Sequence, residues 1–330
     1  MRQARITVPA EEGPGVYHAI TRTVNGELLF DDVAKEVLRK QLWQIADYCG
    51  VEIFTYALLA NHFHVLLRVP QRTELSDAEL LRRYQVLYPK PTRYQLVRLE
   101  AVRAQLGTNG PEAVAWRRRQ LALMGNLSQF MKLLKQRFSI WFNKSHRRFG
   151  TLWSERFKSI LIESNSAVLE AIGAYIDLNC VRAGLVADPK DYRFCGYAEA
   201  VAGSTLARRG LSEMVGVGDR PWPEVQSNYR QVLFGTGSAP RQSTGEITVE
   251  EFQRVADAGG YLPRATVLRC RIRYFSDGAV LGTKAFVAAH LTRYRQRAGP
   301  CPRTAPRLLA HLADCGELAT MRKLRYPRFI

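Results

Sequence analysis

Two histidines one residue apart, in Asn61-His62-Phe63-His64-Val65-Leu66-Leu67, are the side chains of this sequence best placed to bind a metal ion. The run reads as a buried strand, so His62 and His64 project from one face with Cα atoms roughly 6.5 Å apart. Phe63, Val65 and Leu67 take the opposite face and anchor it on a core. Two imidazoles at that separation can share one cation. Two ligands seldom complete a metal site, however, and the plain alternative is one histidine satisfied in the core and one incidental. The rest of the chain must then supply a third ligand, a nucleophile and a surface for substrate. Tyr175 and Asn179 stand four residues apart, on one face of an expected helix and beside its apolar stripe. A tyrosine in that place is ordinarily core, and an asparagine near a helix end is ordinarily a cap.

The charge balance narrows the partners. Lys and Arg number 48 against 30 Asp and Glu, a formal charge of +18 over 330 residues. Such an excess points to a polyanion, nucleic acid or an acidic membrane. No stretch approaches the ~20 apolar residues of a membrane span, and MRQARITVPAEEG lacks the apolar core of a signal peptide. The expectation is a cytoplasmic, nucleoid-associated protein with no membrane partner. Six cysteines, at positions 49, 180, 195, 270, 301 and 315, include no Cys-x-x-Cys pair, so neither a disulfide framework nor a zinc module is indicated and all are read as reduced.

The elements that must position these residues are set by periodicity and punctuation. Gly15 to Thr21 is a short β-prone run between Pro14 and the turn-like Asn25-Gly26. Asp31 or Asp32 caps an amphipathic helix to about Tyr48, with Val37, Leu38, Leu42 and Ile45 at helical spacing and Gly50 ending it. Val51 to Leu59 and His62 to Val69 form an antiparallel hairpin, the histidines lying just past its turn. Residues 71–125 change character: a capping box at Ser76-Asp77-Ala78-Glu79 opens polar helical sequence broken by Pro89, Pro91 and Gly107 to Pro111. This is a helical insertion, either a clamp over substrate or a solvated decoration. Leu127, Phe130, Met131, Leu134, Phe138 and Trp141 stripe a further helix, Phe157 to Ile162 reads as a fourth strand, and Ser164-Asn165-Ser166 caps the helix of Tyr175. Strand, helix, two hairpin strands, helix, strand is the order of the ferredoxin-like β-α-β-β-α-β fold, an α+β antiparallel sheet with its helices on one face. A helix after the last strand could then lay its polar residues against the histidine strand.

Between Arg117 and Lys158 there are eleven Lys or Arg and one acid, Glu155, with Phe142, Phe149, Trp153 and Phe157 interspersed. Cations neutralise phosphates and rings stack on bases, so this composition suits single-stranded nucleic acid; most of the aromatics also have a plain reading as core. Lys132, Lys135, Arg137, Arg147, Arg148, Arg156 and Lys158 are the candidate DNA contacts.

Together, Asn61-His62-Phe63-His64 and Tyr175-Ile176-Asp177-Leu178-Asn179-Cys180-Val181-Arg182-Ala183-Gly184-Leu185-Val186 closely resemble the single-tyrosine HUH transposases of small bacterial insertion sequences. Within them the chain looks most like the REP-associated tyrosine transposases. Met131 to Lys135, Gly150 to Trp153, Arg156 to Lys158 and Tyr192 to Tyr197 resemble the family's other motifs, over roughly residues 14–200 without the insertion. Ala60 and Cys180 stand where the family has prolines. The resemblance implies that His62, His64 and Asn179 bind one divalent cation, Mg²⁺ or Mn²⁺. It implies that Tyr175 attacks single-stranded DNA to leave a 5′-phosphotyrosine and a free 3′-OH, a bond whose energy is kept for strand transfer. A non-catalytic protein that holds DNA or RNA hairpins on the same fold is the alternative.

Residues 201–330 read as a basic, mostly helical accessory or DNA-binding region. It has helices near 206–216 and 222–234, a linker at 235–245, a helix from Thr248, and nine Lys or Arg against two acids after residue 292. Two short helices separated by Ser276-Asp277-Gly278 would make a helix-turn-helix, with a generic helical appendage as the alternative. His290 and His311 have no partners at ligand spacing and read as structural. Monomer and homodimer are both open.

Overall fold

Eight residues, Gly15–Arg22, form a strand (β1) that is buried along nearly its whole length, because it is flanked by a partner on each side. A computed structural model describes residues 5–8, 12–71, 74–216, 218–235, 268, 273–298, 306–308 and 318–322. After β1 comes α1 (Asp32–Cys49), capped by the Asp31 carboxylate, which accepts from Ala34 N at 2.7 Å, and closed by Gly50 in the left-handed region at φ 64°. The hairpin strands are β2 (Glu52–Leu58) and β3 (His62–Val69). Next in the chain are the three helices of the insertion, α2 (Asp77–Val86), α3 (Arg93–Thr108) and α4 (Pro111–Leu121), then α5 (Leu127–Ser145) and β4 (Lys158–Ile162).

These four strands lie in the order β2-β3-β1-β4, every pair antiparallel, which is the ferredoxin-like arrangement expected from the order of elements. Alternation divides the sheet's two faces. Phe63 points to α1 and α5, where Trp153, Phe30, Phe138 and Phe142 meet edge to face, and this is the main apolar layer. Register puts His62, His64 and Leu66 on the other face, with Arg22, Ile20 and His18 opposite them on β1.

That second face is covered by helices from the chain beyond β4. They are α6 (Ser166–Asp177), α7 (Asn179–Arg182), α8 (Gly196–Val201), α9 (Thr205–Val215) and α10 (Trp222–Phe234). Helix α9 lies directly on β2: a Cβ at Gly210 would sit 2.2 Å from the Ile53 carbonyl oxygen. Residues 205–234 therefore pack onto the same body as the four-stranded unit, not onto a module of their own. The segment just before α8 also runs beside β2, with Leu58 N donating to Phe194 O at 2.9 Å.

Two expectations are corrected. The Ser276-Asp277-Gly278 turn between two helices is not formed: a short helix α11 (Arg273–Asp277) runs straight into a strand β5 (Gly278–Thr283), because Val280 and Leu281 find partners on both sides in the sheet. No helix-turn-helix exists there. The sheet is also larger than four strands. Strand β5 pairs in parallel with β4, Leu161 opposite Val280, and α12 (Lys284–Ala298), β6 (Arg307–Leu308) and β7 (Leu318–Arg322) complete it. Among the described residues it has seven strands, β2-β3-β1-β4-β5-β7-β6. The linker at 236–245, the helix from Thr248 and His311 lie outside the described residues.

The insertion is placed by its polar contacts. Arg82 binds Asp47 of α1 at 2.7 Å, Tyr48 donates to Gln120 at 2.8 Å, and Arg137 of α5 donates to Leu87 O at 2.7 Å. It thus sits on the outer side of α1 and α5, across the sheet from the histidines, and is not a clamp over them. No helix among the described residues is long and apolar enough to cross a membrane.

Candidate active site

The two histidines of β3 differ in exposure and in how each ring is held. His62 opens the strand and is half-buried, and His64, two residues inward, is 3% exposed. Their ring centres are 5.2 Å apart at 76°. Asn61 determines the state of His62. Its Nδ2 donates to Gly26 O at 2.9 Å, so its Oδ1 is the atom facing His62 Nδ1 at 2.6 Å, and the histidine must donate there. The Nδ1 of His64 is occupied too, 2.8 Å from Nε2 of His18, a fully buried histidine of β1.

Tyr175 reaches this group from α6. The helix is capped by Asn165 Oδ1, which accepts from Ala167 N at 3.0 Å, and its apolar residues Val168, Leu169, Ile172 and Ile176 are buried. A Cβ at Gly173 would lie 2.2 Å from Met214 Sδ, so the absence of a side chain there lets α9 approach. The Tyr175 ring packs edge-on against His64 at 6.3 Å, His18 at 6.4 Å and Phe275 at 5.1 Å between centres. Arg182 lays its guanidinium 4.1 Å from the ring centre, donates to Tyr175 O, and donates to Leu268 O at 2.7 Å. Tyr175 is 3% exposed.

Asn179 begins α7, one turn beyond Tyr175, and is 8% exposed. Its Nδ2 makes a long contact with Tyr175 O, 3.4 Å, which leaves the amide oxygen as its hard donor atom. Cys180 donates Sγ–H to Asp177 O at 3.2 Å. Between Tyr175 and Asn179, Asp177 points the other way into a fully buried network: it accepts from Thr55 Oγ1 at 2.8 Å, Tyr229 Oη at 2.6 Å and Tyr197 N at 3.2 Å. Burial pushes its carboxyl up to about 7 against the pull of those three donors.

Burial keeps the imidazoles of His64 and His18 neutral. Burial drives His64 well below its ordinary range, and the neighbouring His18, His62, Arg182 and Arg22 reinforce it. Burial likewise takes His18 down to about 3, opposed by the Phe275 backbone and helped by Arg182. Neutral imidazole is the form that ligates metals. By donor type the candidates for holding a cation are His62 and His64, whose ring centres lie 5.2 Å apart, and the oxygen of Asn179, a residue that contacts Tyr175. Among the described residues no group of three or more His, Cys, Asp or Glu is arranged to do so, which makes the third donor decisive.

The basic residues divide. Lys132, Arg147 and Arg156 are exposed, as is Phe149 at 95%. Arg148 reaches Thr151 O at 2.9 Å and stands 3.9 Å from Glu27. Lys158 starts β4, in register with Ile20 and hence in one row with His64, and faces Glu155 and Asp277 at 3.7 Å each. Lys135 donates to Glu155 O at 2.7 Å over the Trp153 ring, and burial lowers its ammonium to about 8. Arg137 turns to the insertion and not to this surface. The loop carrying Arg147 to Phe149 is tied to the turn below His62, with Val24 N donating to Leu152 O at 3.0 Å and Thr23 bridging Trp153. His290 is buried against Phe286 at 4.6 Å, consistent with its structural reading.

His18 and Arg182 escaped sequence reasoning as site residues. A lone histidine in a β-prone run carries no signal until strand register is known, and Arg182 was visible only as part of the tyrosine motif. No protein-family model matches the chain, and no curated protein matches it. Among solved structures the chain is similar to a REP-associated tyrosine transposase bound to a REP hairpin. The identity is 14% over 62% of this chain and 87% of that one, with a TM-score of 0.36.

Proposed function

We propose that this protein is a divalent-metal-dependent endonuclease and strand transferase for single-stranded, hairpin-containing DNA, acting through Tyr175. The observation that carries the reading is that Tyr175 packs against His64, more than 100 residues earlier in the chain, across the interface of α6 and β3. The resemblance of both motifs to the HUH transposases supports it.

The donor set fits a divalent cation. Each histidine has Nδ1 turned to a neighbour, so Nε2 would be the ligating atom, and two neutral imidazoles with one amide oxygen would leave the cation's charge undiminished. Such an ion, when bound, polarises a phosphate and stabilises charge in transfer. This chain's residues do the rest. The Tyr175 oxygen bonds to phosphorus, the P–O3′ bond breaks, and the phenolic proton ends on the released 3′-OH. The ester bond is exchanged and not hydrolysed, so a second 3′-OH can reverse the step and join strands. Exposed Lys132, Arg147 and Arg156 hold phosphates, and Phe149 offers a face to a base.

The burial of Tyr175 favours a second reading, a hairpin-binding protein that does not cut. One experiment separates them. Full-length protein is incubated with labelled single-stranded hairpin oligonucleotides and Mn²⁺ and resolved under denaturing conditions. A covalent adduct is expected, absent in Tyr175→Phe, lowered about 100-fold or more in His64→Ala, lost in chelator and restored by Mn²⁺ or Mg²⁺. Persistence of the adduct in Tyr175→Phe, or retained hairpin binding with no adduct across a broad oligonucleotide pool, overturns the nuclease reading.

A further inference from the structure

The ring of His18 meets that of His64 edge to edge. Their centres are 5.0 Å apart with planes at 26°, the spacing of two imidazoles joined by one in-plane N–H···N bond, and the nitrogens are 2.8 Å apart. One of the two must donate, and the surroundings of His18 say which. Its other nitrogen, Nδ1, is buried with no hydrogen-bond partner in range, and a backbone acceptor at Phe275 is the neighbour that favours a proton on this ring. A bare lone pair facing a carbonyl oxygen is repelled, whereas an N–H there is attracted. That balance favours the tautomer in which His18 carries its proton on Nδ1 and accepts at Nε2, with His64 donating from Nδ1.

We propose that His18 is the positioning residue of the metal site: by accepting from His64 Nδ1–H it fixes the tautomer that leaves the Nε2 lone pair of His64 for the cation. Asn61 does the same for His62 by a different chemistry, accepting from Nδ1–H through an amide oxygen held in place by Gly26. Both ligand rings are thus set by outer partners, the usual device of metal sites. The inference rests on the proposed cation and adds a residue from a second strand. It also links the site to the C-terminal part of the chain, because Phe275 lies just ahead of β5 and touches Tyr175 as well.

The test reads the tautomer in metal-free, full-length protein by two-dimensional ¹H–¹⁵N correlation of the imidazole nitrogens, with His64 assigned from His64→Gln. The proposal expects His64 protonated on Nδ1 in wild type and shifted toward Nε2–H in His18→Phe. Calorimetric titration with Mn²⁺ alone should show about 10–100-fold weaker binding in His18→Phe. His18→Gln, whose Oε1 can accept the same proton, should retain wild-type affinity within a few-fold. That variant keeps the test open if His18→Phe does not fold. A wild-type His64 protonated on Nε2, unchanged Mn²⁺ affinity in His18→Phe, or affinity lost equally in His18→Gln overturns it. Wild-type protein that binds Mn²⁺ with the Nδ1–H tautomer but forms no DNA adduct removes the nuclease reading and leaves this one standing. Wild-type protein that binds no Mn²⁺ removes both.

Discussion

Arg182 places its guanidinium carbon over the ring of Tyr175, 4.1 Å from the ring centre, and closes back onto that residue's own carbonyl, so one guanidinium holds both the side chain and the backbone of the tyrosine. A second donor holds Leu268 O. A lysine has no planar fork and cannot do all three at once. Arg182→Lys is expected to lose about 1–3 kcal/mol of stability, from one stacked cation and two charge-assisted hydrogen bonds. It should also lower adduct formation by Tyr175 more than hairpin binding. Urea denaturation and the adduct assay at saturating DNA check both; equal losses in binding and adduct would make Arg182 a DNA contact instead of a support for Tyr175.

The buried carboxyl of Asp177 is a second anchor on the same helix. It joins α6 to Thr55 of β2, Tyr197 of α8 and Tyr229 of α10. Tyr229→Phe removes one donor and leaves the oxygen underserved, an expected cost of about 1–3 kcal/mol. Combined with Thr55→Val, the loss should depart from the sum of the two single effects, because both donors serve one group. A double-mutant cycle in urea measures this, and strict additivity would show the network to be uncoupled.

Acid stability should report on Glu36 of α1, which pairs with Arg39 one turn on in the same helix and with Arg193 in the segment after α7. The hydrogen bond from Arg39, then its charge and Arg193, hold this carboxyl at about 2 in the fold against an ordinary 4.5. A depressed pKa means the unfolded chain binds the proton first. The stabilisation is therefore complete above pH 4.5 and is lost as pH falls through about 2. Glu36→Gln should melt below wild type at pH 7, with the difference narrowing from pH 4.5 and closed near pH 2. A gap that stays constant with pH would mean the side chain acts by packing alone.

Phe149 is 95% exposed and directly follows Arg147 and Arg148. Phe149→Ala should leave the melting temperature nearly unchanged, within about 0.5 kcal/mol. If its ring stacks a base, affinity for single-stranded DNA should fall by about 1–3 kcal/mol, roughly 5- to 150-fold. Fluorescence anisotropy at fixed salt is the measurement, and unaltered affinity would remove the residue from the DNA path.

Much of this arrangement was legible from local pattern. The alternation of His62 to Val69, the stripe of α6 and the four-residue step from Tyr175 to Asn179 are short-range features, and they appear in the structure as read. The hidden parts depend on pairing between distant segments. His18 matters because β1 and β3 align in one register, which no single strand encodes. Gly278–Thr283 looked like a turn and the start of a helix, yet it is a strand because β4 offers it a parallel partner more than 100 residues earlier. Arg137 looked like one more surface cation until the insertion placed Leu87 O within reach.

The position of β5 also bears on how the chain can be cut. The four-stranded unit has two flanks, β2 and β4. The first is accompanied by Phe194 and Cys195, the second by β5. A fragment ending at residue 234 would retain every proposed ligand and Tyr175, but would expose the outer backbone groups of Leu161 and Ile162. Such a row of unpaired amides and carbonyls on an apolar strand is a template for another chain. The fragment should therefore self-associate, and Lys158 at the strand's start is the one charge on it that opposes this. Strand β5 thus covers an edge that the four-stranded unit would otherwise leave open.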